Sequence, residues 1–181
     1  MLFANNHPID NETIETEFKR LMRLAARKMT SGDLEKQSSA MRQQAREHAI
    51  NRCLLLEEAV RRGIDIPESD VERFLLQAKQ AEHLLDQARK KENIRESIRD
   101  ACRVEKLIKS VIMALPDPSD DEVLEYLAES GFLPADTNND PALMQKVVEK
   151  TRKLVKNIRQ NRALNDFIAM LRSTAVIREG G

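Results

Sequence analysis

The sequence predicts a mainly all-α protein, a bundle of about six long helices with a small two-stranded pairing of its N- and C-terminal segments. Two features of composition support this fold class: the 181 residues include only 5 Gly and 6 Pro, and charged residues make up 33% of the chain. Long amphipathic helices have such a composition, because Gly and Pro interrupt helices and charged side chains cover their solvated faces. A chain of this length can bury its own core, so we expect a single core over residues 1–181, formed by one domain or by two intimate ones.

The chain opens with a short extended segment over residues 2–9, in which an Asn-Asn pair favours a turn. Asp10 or Asn11 can then cap a first helix over residues 12–29. The inward side of this helix is predicted to consist of Ile14, Phe18, Leu21, Met22 and Ala25.

A second, longer helix is predicted to begin near Ser31 and to end at Gly63. Arg61 and Arg62 would occupy its last turn, where cations favour the negative end of the helix dipole. Gly63 follows at the position that most often takes a left-handed conformation. The apolar face predicted for this helix is Ala49, Ile50, Cys53, Leu56, Ala59 and Val60.

Pro67 restarts the chain for a third helix over residues 68–80, which is predicted to continue with a bend towards Lys90. A fourth helix covers residues 93–115 and ends at Pro116. The apolar side of the fourth helix is predicted to be Ile94, Ile98, Ala101, Cys102, Leu107, Ile108, Val111 and Ile112.

Ser119 and Glu122 have the spacing of a capping box, in which each side chain accepts a hydrogen bond from the other residue's backbone N–H. The helix that they open should extend to residue 129 and close at Gly131. Residues 132–140 have the composition of a linker, and a last long helix is predicted over residues 142–172. The apolar stripe of this last helix is Leu143, Val147, Leu154, Ile158, Leu164, Phe167, Ile168 and Leu171.

The tail at residues 174–177 is rich in β-branched side chains and too short for a core helix, so it is predicted to be a strand. The available mate for this strand is the N-terminal segment at residues 2–4. Their pairing would bring the first and last elements of the chain together.

The stretch on either side of Gly63 resembles the N-terminal domain of the SurA family of bacterial chaperones. Members have a leucine-rich helix, a glutamate-alanine pair, a glycine-isoleucine break and an acidic helix start. The corresponding residues here are Leu54 to Leu56, Glu58-Ala59, Gly63-Ile64 and Glu68 to Val71. One departure is Pro67, which stands where the family commonly has a capping Ser or Thr.

The resemblance extends, in order, over the opening segment, the fourth helix, residues 119–127 and the end of the chain. It implies an ATP-independent chaperone whose C-terminal helix and strand return to the N-terminal domain. Most members also carry parvulin-type prolyl isomerase domains between the short acidic helix and the last long helix. Residues 132–140 are too few to form such a domain, so we expect no prolyl isomerase activity.

Other chemistry has no motif in this sequence, which lacks a glycine-rich phosphate loop, a nucleophile elbow and an HExxH or paired CxxC motif. We therefore expect no enzyme activity, no cofactor and no metal. Acidic pairs such as Glu57-Glu58 are assigned to helix starts and solvated faces. Cys53 and Cys102 are interpreted as small buried hydrophobes, with a disulfide between them as the open alternative.

The charge pattern argues against a nucleic-acid partner, because 30 basic and 30 acidic side chains are interspersed along the chain. The basic run at residues 150–162 is interpreted as a solvated helix face. Membrane insertion is not expected, since no stretch approaches the ~20 apolar residues of a spanning helix. With no secretory signal at its start, the chain is predicted to be cytoplasmic; the resemblance favours the periplasm or cell envelope as the alternative.

The predicted function is binding of unfolded or nascent polypeptide clients in an apolar cradle, in which flexible methionines adapt to many partners. The alternative is a helical adaptor or dimerisation module that docks one dedicated protein partner. A homodimer formed by swapping of terminal elements is a further expectation. The candidate client-binding residues are Phe18, Met22, Met29, Met41, Phe74, Met113, Phe132, Met144 and Met170.

Overall fold

The computed structural model describes residues 1–27, 31–80, 91–131 and 141–180. The mainly all-α fold is confirmed, with six helices in these residues and a small antiparallel sheet. The elements are β1 (Leu2–Ala4), β2 (His7–Ile9), α1 (Asn11–Ala25), α2 (Ser31–Arg61), α3 (Glu68–Gln80), α4 (Lys91–Met113), α5 (Asp120–Ser130), α6 (Pro141–Thr174) and β3 (Ile177–Glu179). The predicted linker at residues 132–140 and the bend towards Lys90 lie outside the described residues.

The chain forms two compact units. Unit 1 consists of Met1–Leu107 together with Ile168–Gly181, and unit 2 consists of Ile108–Phe167. Unit 1 is therefore built from both ends of the chain, with unit 2 between its two parts in sequence.

The sheet of unit 1 confirms the pairing of the two chain ends and adds a strand that the sequence analysis did not separate. Its order is β2-β1-β3, and Leu2 of β1 lies opposite Ile9 of β2 and Glu179 of β3. The predicted strand at residues 174–177 was placed too early, because α6 continues through Thr174. Hydrogen bonds from Ser173 Oγ and Thr174 Oγ1 to backbone carbonyls three residues earlier extend its last turn.

Asn5 joins the N-terminal hairpin to the C-terminal segment and to α2. Its φ is 53°, in the left-handed region where Asn is tolerated better than most residues. Its backbone N–H donates to the Val176 carbonyl over 2.7 Å, and its Oδ1 accepts from the Val176 N–H over 2.9 Å. Its Nδ2 donates to Glu57 Oε2 over 2.6 Å. One side chain thus connects three segments of unit 1.

The core of unit 1 lies between the sheet and α2, and the last turn of α6 packs against it. Arg172 of α6 also donates to Asn51 Oδ1 of α2 over 2.8 Å and binds Glu47. The predicted inward position of Val60 is wrong, since 57% of this residue is exposed. The buried residues of this cluster are Leu2, Ala4, Ile9, Ala49, Ile50 and Leu54, with Ile14, Cys53, Leu171 and Ala175 packed against them.

The predicted end of α2 at Gly63 is confirmed. Gly63 has φ +66°, its N–H donates to the Val60 carbonyl over 2.9 Å, and the Ile64 N–H donates to the Ala59 carbonyl over 3.0 Å. These two bonds are those of a Schellman motif, which satisfies the last helical carbonyls.

Glu58 corrects the assignment of the Glu57-Glu58 pair to a solvated face, because only 5% of Glu58 is exposed. Its carboxylate accepts hydrogen bonds from Arg61 Nε over 2.6 Å and from Arg62 Nε over 2.7 Å. Hydrogen bonds from Arg61 and then Arg62 lower the pKa of Glu58 to about 2, against the effect of burial. A carboxylate at this depth is stable because two guanidinium groups at i+3 and i+4 reach over it.

We expect the free energy of unfolding to depend less on pH in the acid range when Glu58 is replaced by Gln. The folded-state pKa of Glu58 is about 2, against 4.5 for an unperturbed glutamate, so the ionised carboxylate stabilises the fold above about pH 5 and this contribution is lost as pH falls towards 2. The Arg61 side chain is 71% exposed and that of Arg62 is 40% exposed, so screening by solvent limits the contribution to about 1 kcal/mol. The free energy of unfolding in urea should be higher for the wild type than for the variant by that amount near neutral pH. Over half of this difference should be lost by about pH 3. A difference that does not change with pH would contradict the account.

The helix starts also follow their sequence signals. Asp10 accepts a hydrogen bond from the Thr13 N–H at the start of α1, and the predicted capping box of α5 is present. There the Ser119 N–H donates to Glu122 Oε2 over 2.8 Å and the Glu122 N–H donates to Ser119 Oγ over 3.2 Å. Gly131, with φ +64°, ends α5 as predicted.

Candidate functional site

The predicted client-binding residues are distributed over both units. Unit 2 contains Met113 and Met144, whereas Met29 and Phe132 lie outside the described residues. Met113 is 81% exposed and Met41 is buried, so the two methionines have very different access to a client. Unit 1 contains Phe18, Met22, Met41, Phe74 and Met170.

Both described phenylalanine candidates have an arginine over the ring. The Arg42 guanidinium lies 4.6 Å from the centroid of Phe18, and the Arg73 guanidinium lies 5.9 Å from that of Phe74. Arg42 also forms an ion pair with Glu15 of α1. Each ring thus has a cation–π partner within its own unit.

The largest run of exposed aliphatic side chains within one described helix lies on α6. Leu154 and Ile158 are 44% and 43% exposed, and Leu143 is also exposed. At 100° per residue, these three residues and the half-buried Val147 lie within about 60° of one another around the helix axis. We call Leu143, Val147, Leu154 and Ile158 the α6 stripe.

Ion pairs in unit 2 fix another face of α6. Arg152 donates to the Pro118 carbonyl over 2.8 Å and binds Asp120, while Lys156 donates to Asp117 Oδ1 over 2.6 Å. Arg159 lies 3.1 Å from Glu122 Oε2. The spacing of the three cations places them on one face of α6, which they attach to the first turn of α5 and to the residues just before it.

The electrostatics of these pairs agree with their geometry. The hydrogen bond from Lys156 holds the pKa of Asp117 below its usual range. The pKa of Glu122 is also lowered, first by the backbone N–H of Ser119 in the capping box and further by Arg159. Thr151 and Val155 are buried, which leaves the α6 stripe on a neighbouring, solvent-facing side of the helix.

A mostly apolar open cleft of about 240 Å³ lies between α5 and α6. Two members of the α6 stripe, Val147 and Leu154, line it. This volume is below the ~300 Å³ at which pockets for drug-sized ligands begin, so the cleft suits one or two side chains of a longer polypeptide. The remaining lining residues are Tyr126 and Ser130 of α5 and Lys150 and Thr151 of α6.

The four residues of the α6 stripe belong to the longer apolar stripe predicted from the sequence, whereas the cleft was not predicted. None of the four other lining residues was a candidate, because each is an ordinary helix residue when taken alone. The sequence contains one weak indication of the cleft. Tyr126 and Ser130 lie four residues apart and therefore on one side of α5.

The reactive side chains of the chain include its two cysteines, both in unit 1. Cys53 and Cys102 do not form a disulfide, and burial, followed by the charge of Glu57, raises the pKa of Cys53. Within the described ranges, no three His, Cys, Asp or Glu side chains are grouped so that they could hold a metal ion. None of the described helices is both long enough and apolar enough to cross a bilayer.

Comparisons with known proteins found no matching family model, curated protein or solved structure. The candidate site in unit 2 consists of the α6 stripe, the cleft beside it and the ion pairs that hold α6 to residues 117–122.

Proposed function

We propose that this protein is an ATP-independent chaperone, a holdase, which binds unfolded or extended polypeptide segments along the α6 stripe and in the α5–α6 cleft. The observation that carries the proposal is the exposure of Leu143, Leu154 and Ile158 on one side of a helix whose other face is fixed by ion pairs. Exposed apolar side chains grouped on one side of a helix, with polar residues beside them, are typical of sites of protein interaction. The resemblance of the sequence to SurA-type chaperones supports the same function.

The dimensions of the α6 stripe fit an extended segment. Leu143 and Ile158 are 15 positions apart, which corresponds to about 22 Å along a helix. An extended chain needs about seven residues to cover that length. The cleft can then accept a side chain of the segment near the middle of this length, where Val147 and Leu154 line it.

Binding of this kind needs no nucleotide, because the aliphatic contacts themselves supply the free energy of association. The absence of a parvulin domain between α5 and α6 remains part of the proposal, so the protein would hold clients without isomerising their prolines. The wider cradle of methionines and phenylalanines remains a prediction. Among the members of that set that the structure describes, Met113 and Met170 are the exposed ones.

We expect the purified chain to suppress aggregation of chemically denatured clients in the absence of nucleotide. Light scattering would be recorded after dilution of three unrelated clients into buffer, with and without a several-fold excess of the protein. An equal mass of an inert protein serves as the control for crowding. Suppression of all three clients is the expected result, whereas suppression of none would overturn the holdase proposal.

The second candidate function is a helical adaptor that docks one folded partner. The i, i+4, i+11 and i+15 spacing of the α6 stripe favours it, because a single partner helix can pack against such a row. An adaptor would leave all three clients to aggregate and would retain one partner in a pull-down from cell extract, with that retention lost when the stripe is substituted.

A further inference from the structure

The basic residues of α6 fall into two sets with different surroundings. Arg152, Lys156 and Arg159 bind the first turn of α5 and the residues just before it, as described above. Lys146 and Lys150 are exposed and form no ion pair or hydrogen bond with any residue that the structure describes. Unlike the first set, these two lysines therefore do not hold α6 to the start of α5.

The two lysines lie along one edge of the α6 stripe. Lys150 is the charged side chain that lines the α5–α6 cleft, and Lys146 lies one turn before it on the same side of α6. The opposite wall of the cleft consists of Tyr126 and Ser130, which are neutral. A segment bound along the α6 stripe would thus meet aliphatic surface with positive charge along one border.

We propose that the α6 stripe and the cleft select aliphatic segments that carry Asp or Glu, and disfavour segments that carry Lys or Arg. The aliphatic side chains would occupy the stripe and the cleft, while a carboxylate would lie near Lys146 and Lys150. Opposite charge favours the acidic segment, and like charge rejects the basic one, so the two effects add in the selectivity. This inference rests on the proposed function and names the class of client.

The test uses three fluorescent peptides with the same aliphatic core, flanked by Glu, by Lys or by Ser, titrated with the full chain in an anisotropy assay. Exposed charge pairs contribute modestly, so we expect the Glu peptide to bind about fivefold more tightly than the Ser peptide and the Lys peptide about fivefold more weakly. These differences should largely disappear in about 0.5 M salt, because ions screen exposed charges.

The double substitution Lys146→Glu with Lys150→Glu should invert the order of the three peptides. Its matched control is Lys19→Glu with Lys36→Glu, which makes the same change in net charge on α1 and α2 and should leave the order unchanged. An inversion in both variants would overturn the proposal, because net charge alone would then set the selectivity.

Failure of this inference is distinguishable from failure of the holdase function. If the wild type binds all three peptides equally but suppresses aggregation, the charge selectivity is wrong and the holdase function stands. Aggregation suppression without binding of any peptide would overturn the assignment of clients to the α6 stripe. If neither activity is found, the proposed function fails together with the inference.

Discussion

Replacing Leu154 and Ile158 together with Gln should weaken client binding about thirtyfold. Each side chain is a little under half exposed, so contact with a client can bury only part of its surface. That partial burial is worth about 1 kcal/mol per residue, and the loss of about 2 kcal/mol corresponds to about thirtyfold in Kd. Gln is a good helix former and carries no charge, so α6 and its ion pairs should persist.

The measurement is the Kd for a denatured client or aliphatic peptide, with the free energy of unfolding recorded in parallel. The matched control is Leu24→Gln with Leu76→Gln, which removes two exposed aliphatic side chains from α1 and α3. The control should bind like the wild type. Equal weakening of binding in both double variants would contradict a localised site, even if both remain folded.

Replacing Asn5 with Ala should lower the free energy of unfolding by about 3 kcal/mol. The substitution removes the side-chain hydrogen bonds to Val176 and Glu57, which together contribute about 2 kcal/mol. It also forces a residue with a Cβ but no local hydrogen bond into a left-handed conformation, at a further cost of about 1 kcal/mol. Denaturant unfolding of the two proteins measures the sum.

The substitution Asn5→Gly separates the two contributions, because Gly adopts the left-handed conformation readily but cannot make the side-chain bonds. It should cost about 2 kcal/mol, less than Asn5→Ala. Hydrogen exchange adds a local readout, since the Val176 amide loses its acceptor and should exchange faster in both variants. An unchanged exchange rate at Val176 would show that Asn5 does not hold the C-terminal segment.

Local signals in the sequence predicted most of the element boundaries. Gly63, Gly131 and the capping box at Ser119 mark helix ends through interactions between residues close in sequence, so they can be identified without a tertiary structure. The pairing of the chain ends was also predictable, because few β-branched segments are available. The end of α6 lies two residues beyond the predicted one, since the hydroxyls of Ser173 and Thr174 extend the last helical turn although a β-branched Thr also favours a strand.

Which face of a helix is covered was harder to predict. Periodicity identifies an apolar stripe, but the same spacing fits a core and a binding surface, as α6 shows. In α2, Val60 is exposed and Glu58 is buried, which is the reverse of what hydrophobicity alone predicts for these two residues. The Glu-x-x-Arg-Arg spacing of residues 58–62 was the available signal for a buried carboxylate, because arginines at i+3 and i+4 can reach it.

The candidate site was only partly predictable. The α6 stripe follows from spacing, whereas the α5–α6 cleft depends on how two helices pack and on three ion pairs that align them. Lys150 illustrates the difference, since its sequence neighbours assign it to a solvated basic face. Its position in the cleft is visible only when Tyr126 and Ser130 are placed opposite it.

Photo-crosslinking tests the central claim most directly. A photoreactive amino acid would replace Leu154 in one variant and Leu76, which is more exposed, in another. Each variant would be irradiated with a denatured client, and the cross-linked product quantified. The account predicts strong crosslinking from position 154 and little from position 76, whereas equal crosslinking from both, or none from position 154, would contradict client binding on the α6 stripe.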